Sequence, residues 1–204
     1  MMELMHGPQF AKKFINDYLT TDIPSRLIDY RNGWALSSSD LPTPEKFITY
    51  EPLALDSWPT IITIAISTNK LERIGYGNAD PIYRVEYQMR TYIWVRADGS
   101  AECTEMRDRL TTVVRSALLD YPCLKATDPN DFFRIMVDES SMREEFSDLT
   151  LLKGDRMLAG AYVAYNVQLD EIVARKALGT VDEIILKEYS SGAGEDMPSL
   201  LGEF

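Results

Sequence analysis

The chain reads as an α+β protein: an antiparallel sheet of about four main strands with a long amphipathic helix packed on one face. Three observations predict this. Strand-like segments arrive in adjacent pairs rather than alternating with helices, which favours antiparallel pairing over a doubly wound parallel sheet. From Tyr83 the chain alternates apolar and polar residues at the period of a strand. A turn at Asp98-Gly99 then leads directly into a segment whose apolar residues recur at helical spacing.

Each element has its own signal. Pro8–Leu19 reads as a helix, because Phe10, Phe14 and Tyr18 recur at i, i+4 and i+8 among polar residues. A second short helix is expected from Pro24, with Asp22 as a cap, Leu27, Ile28 and Tyr30 facing inward, and Asn32-Gly33 as its end. Residues 37–59 hold Pro42, Pro44, Pro52 and Pro59 and read as a loop-like insert. The insert also carries Phe47, Tyr50, Leu53, Leu55 and Trp58, so it is expected to press on a surface, its own or a neighbour's.

Thr60–Ser67 is a β-branched strand, and a loop over residues 71–80 is expected after it. In the long strand, Tyr83, Val85, Tyr87 and Met89 alternate with Arg84, Glu86, Gln88 and Arg90. The pattern then breaks at Tyr92, Ile93, Trp94 and Val95, where both faces are covered or a bulge intervenes. On the helix Ser100–Asp120, Cys103, Met106, Leu110, Val113, Val114, Ala117 and Leu118 form one stripe. Ser100 suits the cap, Glu102 the positive helix start, and Glu105 with Arg109 an i,i+4 pair. Phe132–Val137 reads as a strand, followed by an exposed loop or short helix from Asp138. Leu158–Leu169 is a second long strand, with Ala161, Val163, Tyr165, Val167 and Leu169 on one face. One domain is thus expected over residues 1–178, with 179–204 as a C-terminal arm or flexible tail.

Bulk composition narrows the function classes. The 204 residues are 45% hydrophobic, enough for one real core. A net charge of −11 argues against tight non-specific binding to DNA or to anionic membranes. No apolar run approaches the ~20 residues of a membrane span, and MMELMHGPQF lacks the features of a signal peptide. A cytosolic protein is expected, and Cys103 and Cys123 make no disulfide framework.

Chemistry-bearing patterns are weak. The sole histidine, His6, has no partners at fixed spacing. Gly75-Tyr76-Gly77 precedes a strand rather than the helix a phosphate loop needs. Asp128, Asp131, Asp138, Glu139, Glu144, Glu145 and Asp148 cluster without calcium-loop spacing and read as a solvated run. Tyr83, Tyr87, Tyr92 and Trp94 have the faces to stack bases but lack a basic surround. No residue is assigned a catalytic, cofactor-binding or metal role, no cofactor is expected, and the chain is not expected to be an enzyme.

The block Tyr83–Tyr121 resembles the central strand and helix of tail-terminator proteins of long-tailed bacteriophages. The strand rich in Tyr and Val, the RDRL-like Arg107-Asp108-Arg109-Leu110 and the proline-marked end at Tyr121-Pro122 carry the likeness, over roughly residues 60–170. The resemblance implies a homohexameric ring in the virion that caps the tail tube and joins it to a neck or head-completion protein. Genomic DNA would pass through its lumen without specific binding. The insert at 37–59 and the tail at 179–204 are the expected neighbour contacts. Other readings are a different neck or tail protein, such as a stopper or tail-tube subunit, or a small-molecule-binding domain.

Overall fold

The computed structural model describes residues 7–77, 80–120, 123–125, 134–147, 151–153 and 156–172. Within these, helix α1 (Pro8–Trp34) precedes strands β1 (Lys46–Ile48), β2 (Thr60–Gly77) and β3 (Asp80–Ala97). Helix α2 (Ser100–Leu119) and strands β4 (Cys123–Lys125), β5 (Arg134–Phe146), β6 (Leu151–Lys153) and β7 (Arg156–Ile172) follow. The protein is α+β. Its sheet runs β1-β2-β3-β7-β5-β4, with β6 paired to β7. Every described pairing is antiparallel except β1 with β2, which is parallel, so the sheet is mixed rather than wholly antiparallel.

Both helices lie against one face of this sheet. β3 sends Val85, Tyr87, Met89, Thr91, Ile93 and Val95 into the core, and β7 sends Ala161, Val163, Tyr165, Val167 and Leu169 beside them. The α2 stripe from Cys103 to Leu118 is buried as its spacing predicts. Thr111 and Arg107 are buried with it. A chain of hydroxyls crosses the apolar layer: Tyr165 and Thr91 share a hydrogen bond of 2.9 Å, and Thr91 shares another of 3.2 Å with Thr63. Each buried hydroxyl is thereby spared a desolvation cost of about 1–3 kcal/mol.

Several local expectations are corrected. Two N-terminal helices were expected, but α1 runs unbroken through Pro24. Beside Phe14, its buried residues recur every four positions, at Ala11, Ile15, Leu19, Ile23 and Leu27. A proline inside a helix costs about 3 kcal/mol, yet Pro24 itself is exposed. Burying Ile23 and Leu27 returns about 1.5–3 kcal/mol each. At 3.6 residues per turn a four-residue row drifts about 40° per step, so α1 changes neighbours along its length. At its start, Gly7 N–H donates to Glu171 of β7 at 3.0 Å. Farther on, the Tyr18 hydroxyl donates to the Ala117 carbonyl of α2 and Arg26 donates to Ser116. Asp22 is no cap: it pairs with Arg26 one turn on, at 2.6 Å. Ile28 faces solvent rather than the core. The helix ends past Asn32-Gly33, with Ala35 in the left-handed region at φ 54°. At α2 the N-cap is Gly99, and Ser100 is the first helical residue.

Two expected loops are strands. β2 continues through residues 71–77 opposite β3, with three register shifts on the way. β5 continues through Asp138–Phe146, with a shift between Asp138 and Arg143. Both segments lack clean alternation because bulges move residues from one face to the other. The insert at 37–59 is loop apart from β1. His6, Phe132 and the tail at 179–204 lie outside the described residues.

Candidate functional site

The opposite face of the sheet carries no helix among the described residues, and strand alternation decides what it presents. Tyr83 and Tyr87 turn to the helical side, whereas Tyr92 and Trp94 turn to the open side. The four aromatics noted in the sequence are therefore split between the two faces. Tyr87 is buried and donates to Glu171 at 2.8 Å. Burial and that carboxylate push its phenol far above the ordinary range.

The open face has two zones. Toward the β2–β3 turn, Arg84 pairs with Asp170 at 2.9 Å. Glu86 accepts hydrogen bonds from Asn69, Asn166 and Gln168. Its donors and acceptors are well matched.

Farther along the strands, Arg90 lies over the Tyr162 ring with its guanidinium carbon 4.7 Å from the centroid. Tyr92 packs against the same ring at 5.2 Å. Across the strands, Arg90 and Arg143 both face Ala164, Tyr92 and Glu145 both face Tyr162, and Trp94 faces Gly160. A hydrogen bond to the Glu145 carboxylate pushes the Tyr162 phenol up. Ile62, Ile64 and Ala164 are buried on this side. Their side chains are shielded by the aromatic rings and arginine stems rather than by a helix. The run of large residues at 92–95 thus reflects a second, thinner apolar layer.

Gly160 allows the Trp94 ring to lie flat on the sheet. A Cβ at that position would sit 2.6 Å from Trp94 Cζ3.

A second exposed feature is the loop between β1 and β2. Its base is tied by Lys46–Asp56 at 2.7 Å, by Glu45 N–H to the Pro59 carbonyl at 2.9 Å, and by Lys12 to the Thr49 carbonyl at 3.1 Å. Its middle points away: Leu53 is fully exposed and Tyr50 is 63% exposed. Phe47 does pack on the core, as the sequence suggests for the insert. Tyr50 and Leu53 do not press on the domain.

The acidic residues do not converge. Glu144 pairs with Arg115 of α2 at 2.9 Å, Glu145 with Arg143 at 3.6 Å, and Asp138 accepts from Ser140. Among the described residues no group of three His, Cys, Asp or Glu could hold a metal ion. Asp128, Asp131 and Asp148 lie outside them. Cys103 is buried, and burial raises its thiol, which disfavours the reactive thiolate. Among the described residues no helix is long and apolar enough to cross a membrane.

Sequence reasoning missed Arg107, because its place beside the apolar stripe gave no sign of burial. It donates to the Ser147 carbonyl at 2.9 Å and lies 5.1 Å over the Phe146 ring, fastening the end of β5 to α2. The sequence matches no known family model, and no curated protein sequence aligns with it.

Proposed function

We propose that this chain is a structural subunit of a long-tailed bacteriophage virion, a tail terminator with no turnover of its own. In this reading a homohexameric ring forms in the host cytoplasm, caps the tail tube, and joins it to the neck or head-completion protein. One observation supports it most. β3, its turn and α2 make a strand-turn-helix unit whose helix covers one sheet face, while the other face is left to Arg90, Tyr92, Trp94 and Tyr162. A sheet that among the described residues carries helices on one side only suits a protein whose surface is completed by copies of itself. The finer architecture belongs to the same reading: β2, β3, β5 and β7 as the main antiparallel sheet, with the 37–59 insert and residues 179–204 reaching neighbours. The net charge of −11 suits a lumen that lets DNA slide, since repulsion keeps phosphates from sticking.

The test is to add the purified protein to a polymerising tail-tube protein, recording native mass and negative-stain tube lengths. Rings of six chains and tubes capped at one end are the expected outcome. Long tubes made of this protein alone would assign it to the tube instead. A monomer that leaves tube growth unchanged would refute the proposal.

A further inference from the structure

We infer that the Tyr50–Leu53 tip of the β1–β2 loop and the Arg90–Tyr162 zone of the open face are two halves of one head-to-tail contact between copies of this chain. The inference deepens the ring reading and rests on it for the number of copies only.

Each half is incomplete alone. The tip places the fully exposed Leu53 and the largely exposed Tyr50 around Glu51, on a loop whose base is held by hydrogen bonds and an ion pair. A loop anchored at its base holds its apolar tip in water at a cost, unless something covers it. The face supplies the complement. Arg90 makes one long hydrogen bond, 3.4 Å to the Tyr92 hydroxyl, and its Nε is buried without a hydrogen-bond partner. A guanidinium carries five donors, and among the described residues no carboxylate lies within ion-pair distance of Arg90. Arg143 lies on the same side, paired with Glu145 at 3.6 Å. In a chain of net charge −11, Arg90 and the Tyr92 and Tyr162 rings make a cationic, aromatic surface. An acidic, apolar tip fits it in both charge and polarity.

The two halves also sit on different flanks. The loop leaves the β1 edge of the sheet, whereas the zone runs from Arg90 and Tyr92 on β3 to Tyr162 on β7 and Arg143 on β5. Strands lie about 4.8 Å apart, so β7 is roughly 14 Å across the sheet from β1. Because Leu53 is fully exposed, the tip does not rest on its own face. Opposed halves on different flanks make a heterologous contact, the kind that closes into rings or extends into chains. Edge-to-edge strand pairing is a poorer route. Both long outer strands carry register shifts, and Lys70, Glu72, Arg143, Glu144 and Glu145 line them, features that blunt edges.

The test uses the full chain in two variants, Leu53→Asp and Arg90→Glu, with Glu51→Arg as a third that alters only charge. Circular dichroism melting first confirms that each is folded. Sedimentation velocity then reads assembly. Wild type is expected to self-associate, and each single variant to show at least a tenfold weaker association. Mixing Leu53→Asp with Arg90→Glu should give a one-to-one heterodimer and nothing larger, since only one good junction remains. Pairing Glu51→Arg with Arg90→Glu in one chain should restore assembly. Wild-type rings that persist in all three single variants would overturn this contact while leaving the ring reading intact. Loop-dependent dimers or open chains in place of rings would support the contact and overturn the ring. A wild type that stays monomeric would overturn the contact.

Discussion

Replacing Gly160 by alanine tests how the open face is built. The added Cβ would lie 2.6, 2.8 and 3.0 Å from Cζ3, Cε3 and Cη2 of Trp94. Ordinary carbon contacts are about 3.5–4.0 Å, so the indole must lift by roughly 1 Å or leave its rotamer. Such overpacking costs about 1–3 kcal/mol. Against it, alanine restricts the unfolded chain more than glycine, a gain of about 0.4–1 kcal/mol. The net expectation is a loss of about 1–2 kcal/mol, or a melting temperature lower by about 2–8 °C for a chain of this size. Urea and thermal denaturation followed by circular dichroism measure it. The decisive arm is the double-mutant cycle. In a Trp94→Ala background the clash is gone, so Gly160→Ala should turn neutral or stabilising. If the loss is the same in both backgrounds, the close approach of the indole is not what requires glycine.

Three further outcomes follow from other parts of the molecule. Leu110 is fully buried on α2, so Leu110→Asp is expected to cost about 3–5 kcal/mol; an unchanged melting temperature would show that the stripe does not pack. Ala35 closes α1 at φ 54°, a left-handed conformation that costs a non-glycine residue about 1 kcal/mol. Ala35→Gly should therefore raise the urea midpoint, and a lowered midpoint would refute the strain. Burial pushes the Tyr18 phenol up to about 12, and its neutral form donates to the Ala117 carbonyl. A raised pKa means the native state holds the proton more tightly, so this contribution is complete below pH 10 and is lost as pH rises through about 12. Tyr18→Phe should flatten that part of the alkaline unfolding profile, and an identical slope in both proteins would exclude the coupling.

Much of the helical side of the protein was legible in the chain. The α2 stripe and the alternations of β3 and β7 are local periodicities, and a residue's face follows from its position in them. The Glu105–Arg109 pair, found at 2.7 Å, was likewise fixed by one helical turn. The open face was less legible. Tyr92 and Trp94 announced large side chains on both sides of β3, but not that Tyr162, Arg90 and Gly160 would assemble around them, because those residues meet only through the β3–β7 register. Nor did the insert reveal which of its apolar residues would pack: Phe47 reaches the core, and Leu53 does not.

The division follows from where the free energy comes from. Sequence by itself determined the α+β class and the amphipathic faces of α2, β3 and β7, since each rests on residues a few positions apart. Tertiary structure alone decided that α1 runs through Pro24, that β5 continues across the polar Asp138–Phe146, and that among the described residues one face of the sheet carries no helix. In those places a local preference opposes the outcome, and burial against distant strands or backbone pairing to β7 outweighs it.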